Sequence, residues 1–447
     1  MTSGDANLGL WGDAAGNART DSTSVLGLGA ANPRNQSRRC TFSSPKNGNR
    51  LPGSPGMISV AEFNDIDRLR DLRLLWKELL GKTGGASFFQ SLDWLTNYWR
   101  HFGENMKLRC LVVSVAGRPI GIVPFIVKHT ATHLGRVRVL TYPLDSWGAF
   151  YGPIGPHPAA TLNSALRYIR ASRRDWELID LRYVDVNGTD RGRTRNAMRN
   201  VGLQSFTRHW NTDSLIELGP NWTEFLAQLD PTHRKVYRCA EERLEQLGHV
   251  EYVRHRPGGR IVGDDETRDD LYDSFRSILT SRSTDGRQDD GRNRFQRIGE
   301  FLSDVHGDAC RAGAADLNLL FLDDRPVCAV YNYVLDGRVE TVSIESADDA
   351  PAEAGLVLMG RMLRDGCRRN DDVYVVASRL GNPSGWQTST TTSARYTHFP
   401  VTVPRAQVFR LNQHLKRWFA GKKSPATQPP KHEPAADPVK PRLSVIN

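Results

Sequence analysis

Two stretches of this chain follow one plan. Residues 108–128 read LRCLVVSVAGRPIGIVPFIVK, and residues 317–335 read LNLLFLDDRPVCAVYNYVL. Each is an apolar run, a short polar turn with an Arg-Pro pair, and a second apolar run. Apolar runs of this length around a tight turn are the signature of a β-hairpin, and proline fits the first position of the returning strand. A hairpin cannot stand alone in water; it needs a sheet and a covering layer. Two of them about two hundred residues apart, in a chain of 447 residues, imply two folded blocks rather than one ordinary core. A repeat of that size is a repeat of domains, not of solenoid units.

The sequence around the hairpins supports this division. The first block opens with a strand over 58–63 and a helix over 65–80, in which Ile66, Leu69, Trp76 and Leu79 recur near helical spacing. A second helix carries Trp94, Leu95, Tyr98 and Trp99; the hairpin strands cover 108–115 and 119–128. Trp176–Leu181 is a further strand with a helix on each side. In the second block Asp230 before Pro231 marks a helix start and Gly248 its end. Helices over 266–281 and 292–312, strands over 316–322, 327–335 and 338–346, a helix over 353–369 and a strand over 373–377 follow. Helices first, then an antiparallel meander, then a helix and one more strand is an α/β (α+β) architecture, with a mixed, mainly antiparallel sheet flanked by helices in each block. The expected divisions are a leader over 1–56, domains over 57–212 and 213–420, and a tail over 421–447. Leader and tail are rich in Gly, Ser, Pro and charged residues without apolar periodicity and read as disordered. Met57 opens the patterned sequence, as an alternative start codon would.

Composition excludes several classes. No apolar run approaches the roughly 20 residues that span a bilayer, and the N-terminus lacks a basic segment followed by an apolar core. The six cysteines form no C-x-x-C pair and no zinc spacing, the usage of reduced thiols in a cytoplasmic protein. Net charge is +10, and only 11 of the 60 basic residues are lysine. Arginine forks suit phosphate and carboxylate groups, so an anionic substrate or a CoA-type cofactor fits; no nucleic-acid motif accompanies the charge.

The ordered set of segments resembles the GNAT acyltransferase fold, present twice. It is more closely similar to the bacterial group of the cellulose-biosynthesis protein CelD, relatives of the FemAB peptidoglycan aminoacyltransferases. The stretches that carry the resemblance are FFQSLDWLTNYWRHFG at 88–103, the first hairpin, DWELIDL at 175–181, WTEFLAQLDPTHRKVYRCAEERLEQLG at 222–248 and the meander at 317–348. It covers about 57–403. The usual GNAT phosphate loop is absent, its place taken by Ala352-Glu353-Ala354-Gly355-Leu356, and the segment after the last strand reads Ala377-Ser378-Arg379-Leu380-Gly381. The resemblance implies acyl transfer from acetyl-CoA or another acyl-CoA to an amine or hydroxyl, on a small-molecule or saccharide acceptor such as a cell-envelope precursor. It leaves open aminoacyl transfer from charged tRNA, and a non-catalytic binding role.

Candidate residues follow. Backbone amides of Ala354, Gly355 and Leu356 at a helix start suit a pyrophosphate. Glu345, at the end of the preceding strand, is either a general base or a solvated strand-end carboxylate. Asp145, in the aromatic loop YPLDSWGAFYGP, and Tyr396, in ARYTHFP, are the other catalytic candidates. Trp147 is either a substrate wall or a buried anchor. Arg234, Lys235 and Arg238 share a sector of the 231–247 helix and form either an anion clamp or a solvated basic face.

Overall fold

A computed structural model describes residues 58–132, 135–281, 289–383 and 385–411, without side chains for 281–296. The leader and tail expected over 1–56 and 421–447 lie outside the described residues. Residues up to Pro400 form one compact unit and those after it belong to a second; of the latter, 404–411 are helical.

The first half contains β1 (Ile58–Phe63), α1 (Ile66–Arg70), α2 (Arg73–Gly81), α3 (Leu92–Phe102), β2 (Met106–Val115), β3 (Arg118–Thr132), β4 (Gly135–Thr141), α4 (Pro158–Ala171), β5 (Leu178–Asp185), α5 (Arg193–Asn200) and β6 (Phe206–Glu217). The second contains α6 (Trp222–Gln228), α7 (Pro231–Leu247), β7 (Val250–His255), α8 (Asp269–Ser281), α9 (Asp289–Ala312), β8 (Ala315–Leu322), β9 (Arg325–Leu335), β10 (Arg338–Ser346), α10 (Ala354–Arg368), β11 (Val373–Val376) and β12 (Ser389–His398). The helix expected over 65–80 is two helices, because the chain turns at Asp71 and Leu72, where both amides bond back to the Leu69 carbonyl. Leu69 and Trp76 are both buried across that break.

The hairpins match in detail. Ala116 and Gly117 turn the first, Asp323 and Asp324 the second, and all four have positive φ, as a two-residue turn matched to strand twist requires. In both, the ladder slips by one residue just beyond the proline: Ile120 and Val327 are the extra residues, next to Pro119 and Pro326. Proline has no N–H to give a ladder and fits a bulge.

The twelve strands of the described residues form one sheet, in the order β1-β2-β3-β4-β5-β12-β6-β11-β10-β9-β8-β7. Among the described strands, only the pairs β4–β5 and β10–β11 are parallel. The order reads the same from both ends when each strand is matched with its counterpart in the other half, with one twist. The last strand of each half has crossed over: β12 lies against β5, and β6 lies against β11. β6 therefore runs through position 212. A core that includes Trp76, Trp94, Met198, Phe275 and Phe301 joins α2, α3 and α5 with α8 and α9; a second packs α6, α7 and α10 on the other face of the sheet.

An ion cluster holds the crossed strand. Asp180 on β5 accepts from Arg182 at 2.7 Å and from two nitrogens of Arg395 on β12 at 2.5 and 2.8 Å, and is 1% exposed. Arg182 and Arg395 both lie over the Trp210 ring of β6. Removing one partner of a buried pair strands the other charge. Asp180→Ala should therefore lose about 3–5 kcal/mol of stability, measured by denaturant unfolding; a loss below about 1 kcal/mol would show that the cluster does not hold β12 in place.

Candidate functional site

β10 stays beside β11 only over Arg338–Glu340, which pair with Val373–Val375. Its ladder with β9 shifts between Thr341 and Ser343, so Val342 is an extra residue. A bulge bends and twists its strand; here β10 swings off β11 and opens the sheet. Arg379, in the helical turn 378–380 after β11, reaches into this opening and donates to the carbonyls of Val342 and Trp147, each at 2.9 Å. Loss of water pushes its guanidinium down to about 10, against the pull of nearby Tyr183, Asp213 and Glu345. Asp213 on β6 sets the turn by accepting the Ser378 amide at 2.8 Å. Burial raises the Asp213 carboxyl above its usual range.

Glu340, Ser343 and Glu345 stand opposite Tyr333, Tyr331 and Ala329 of β9. Those three alternate along their strand, so Glu340, Ser343 and Glu345 share one face of β10. Glu345 accepts the Ser343 hydroxyl at 2.5 Å. Glu340 is 4% exposed; Arg338 Nε holds one carboxylate oxygen at 2.7 Å, and the other has no partner among the described residues. Burial raises its carboxyl, and the Arg338 charge opposes the rise.

α10 begins eight residues after β10 ends. Glu353 at its N-cap makes no side-chain cap. Ala354 is buried, whereas Gly355 is exposed and has no heavy atom within 4 Å of the place a Cβ would take. The charge of Glu353 is partly met by Arg243, 3.6 Å away. Gly360, one turn further on, is needed for packing, since a side chain there would collide with the Tyr237 ring of α7.

The strand ends at Ser346 and the helix starts at Ala354, within one residue of the bounds expected from the sequence. Arg234, Lys235 and Arg238 lie on α7, half-buried or exposed, beside the buried stripe of Tyr237, Ala240 and Leu244. They sit on the α7–α10 face of the sheet, opposite the face that carries Glu345. Trp147 is 6% exposed, with its ring 4.9 Å from Phe301 and 5.9 Å from Trp94; it packs as an anchor, and its carbonyl accepts from Arg379. Asp145 is held by Lys128 and by the Tyr98 hydroxyl at 2.6 Å. Burial raises its carboxyl, but those partners win and keep it below the usual range. Tyr396 lies on β12, opposite Leu181 and Thr207, and is 1% exposed in the core. Glu340, Arg379 and Asp213 escaped sequence reasoning; the departure at 377–381 was the one visible signal.

Residues 231–376 match the model of a family described as an acetyltransferase (GNAT) domain. No curated protein matches the chain. Among solved structures, FemX is 10% identical, with a TM-score of 0.51 over 77% of this chain and 98% of FemX. A conserved protein of unknown function from Bacteroides thetaiotaomicron is 13% identical over 76% of this chain and 100% of its own, with a TM-score of 0.47. A tandem GNAT protein from the clavulanic acid biosynthesis pathway is 10% identical over 76% and 98%, with a TM-score of 0.39. The likeness to FemX is one of fold. The matched segment, from α7 to β11, is a domain of acyltransferase class. No described helix is long and apolar enough to cross a membrane.

The Asp145 site has a testable electrostatic signature. A carboxyl depressed in the folded state contributes stability above its unfolded pKa of about 4 and loses it as pH falls through the folded value. Asp145→Asn should lower the melting temperature at pH 7, and the gap to wild type should close below about pH 4. A gap independent of pH would show that Asp145 acts by shape alone.

Proposed function

We propose that this chain transfers an acyl group from an acyl-CoA to an amine or hydroxyl in the opening between β10 and β11. The domain division is read in the same way, with the 213–420 part carrying the chemistry and the 57–212 part completing the site. The observation that carries the proposal is the bulge at Val342 together with the departure of β10 from β11 after Glu340. A splayed strand edge offers backbone groups to an extended acyl carrier. Glu340 and Glu345 share the face beside it.

In this reading the amides of Ala354, Gly355 and Leu356 receive the phosphates, since a helix start favours anions and the space over Gly355 is open. The acyl end then lies at the bulge. Arg379 holds the Val342 carbonyl there. That leaves amides of the same edge, with the guanidinium charge, to stabilise the oxygen that gains charge. Glu340 stands just before the bulge, and burial raises its carboxyl, which makes it a better proton acceptor. It takes the proton as the acceptor nitrogen or oxygen bonds to the acyl carbon; the carbon–sulfur bond breaks and the thiolate regains the proton. Glu345, about three residues past the bulge, lies along the carrier. The acceptor is a small polar molecule, and a saccharide or envelope precursor fits it.

Aminoacyl transfer from charged tRNA is a second reading, favoured by the fold shared with FemX and by the exposed Lys235 and Arg238. Melting curves with acetyl-CoA, longer acyl-CoAs and charged tRNA separate the two. A rise with a CoA thioester is expected; a rise only with tRNA supports the second reading, and no rise with either leaves a binding protein. Glu340→Gln should slow turnover about 100-fold or more without weakening acyl-CoA binding. A larger loss in Glu345→Gln than in Glu340→Gln would return the base to Glu345.

A further inference from the structure

A cavity of about 470 Å³ opens in the first half, a size usual for small-molecule sites. Its walls are residues 82–85 after α2, the loop 150–158 and the turn 185–194 between β5 and α5; one residue, Glu340, comes from the second half. The walls are fixed by their own bonds. The Gly155 amide donates to Thr83 Oγ1 at 2.7 Å, and Gln90 Nε2 donates to the Gly152 carbonyl at 3.2 Å. Gly155 has φ +121°, and a side chain there would come within 2.6 Å of the Ile120 carbonyl. Pro153, Pro156 and Pro158 stiffen the same loop.

The polar groups of this cavity differ in what they have left to offer. Asp185 spends its carboxylate on the amides of Gly188 and Thr189, and Asp190 caps α5 through Gly192 and Thr194. Glu340 keeps one oxygen without a partner among the described residues, in a side chain that is 4% exposed. A buried acceptor in that state costs free energy until a donor reaches it. Arg191 and Arg193 each spend Nε on a backbone carbonyl, and their remaining N–H groups have no partner among the described residues. The Phe150 ring lines the same cavity, with the Arg338 guanidinium 5.3 Å from its centre.

We propose that this cavity holds the acceptor, and that the acceptor is a small saccharide-like molecule with an amino or hydroxyl donor at one end and a phosphate or other anionic group at the other. The donor meets Glu340, the ring rests on Phe150, and the anion meets the Arg191 and Arg193 forks. This deepens the acyl-transfer reading, because Glu340 is also the last residue of β10 before the sheet opens. The amine to be acylated then enters from the first half and the acyl carrier from the second.

Binding is measured on the whole protein without any acyl donor, so failure here is distinct from failure of the donor site. Calorimetric titration with glucosamine 6-phosphate is compared with glucosamine and with inorganic phosphate. Glucosamine 6-phosphate should bind at least about tenfold more tightly than either fragment, as two charge-assisted contacts at opposite ends of one molecule require. Arg191→Ala with Arg193→Ala, at the rim, should weaken glucosamine 6-phosphate about tenfold or more and leave glucosamine unchanged. Glu340→Gln should weaken glucosamine and leave phosphate unchanged; Phe150→Ala serves if that variant melts early. No binding of glucosamine 6-phosphate, or binding that none of these changes alters, overturns the proposal.

Discussion

The exchange of final strands is the constraint on which the rest depends. β6 completes the second half by pairing with β11, and β12 completes the first by pairing with β5. A strand inside a sheet must satisfy both edges with backbone partners. Neither half can therefore close its sheet without a strand from the other. Asp213 rides on β6 into the second half, where it fixes the Ser378 amide and with it the turn that carries Arg379. Arg379 then bonds one carbonyl from each half, Trp147 and Val342. The opening beside β10 is thus built by both halves, though the acetyltransferase family match covers only residues 231–376.

The two copies of the repeat have diverged. Both halves keep the hairpin, the bulge after its proline and a short parallel pair. In the first half, however, the segment after β4 folds inward. Tyr142, Leu144 and Trp147 are buried there, and Asp145 is tied to Lys128. That half buries this segment and keeps a cavity elsewhere. In the second half the corresponding edge remains polar, with Glu340 and Glu345 along it.

The hairpins, the α/β class and most helices were legible because they rest on apolar period and turn chemistry, which are local. β6 and β12 were not. FTRHWNTDSLIE and STTTSARYTH are polar strands, and they hold the middle of the sheet because Asp180, Arg182, Arg395 and Trp210 satisfy one another across three strands. Such pairing is invisible until the strands are neighbours. The same reason hides Glu340 and Arg379. A charged residue in a sequence reads as a surface residue, and only the fold reveals a carboxylate with one spare oxygen. Trp147, read as either a substrate wall or a buried anchor, and Tyr396, a catalytic candidate, are the opposite case: packing claims both. Glu345 and the Ala354–Leu356 start of α10 were locatable because element order alone fixes where a strand ends and a helix begins.

The central claim is that an acyl carrier lies along β10 from its bulge to the start of α10. Hydrogen exchange followed by mass spectrometry, with and without acetyl-CoA, tests it most directly. The claim predicts slowed exchange over residues 341–346 and 354–356 when acetyl-CoA is present, with the far edge at β1 unchanged. Slowing confined to other segments, or none at saturating acetyl-CoA, would contradict it.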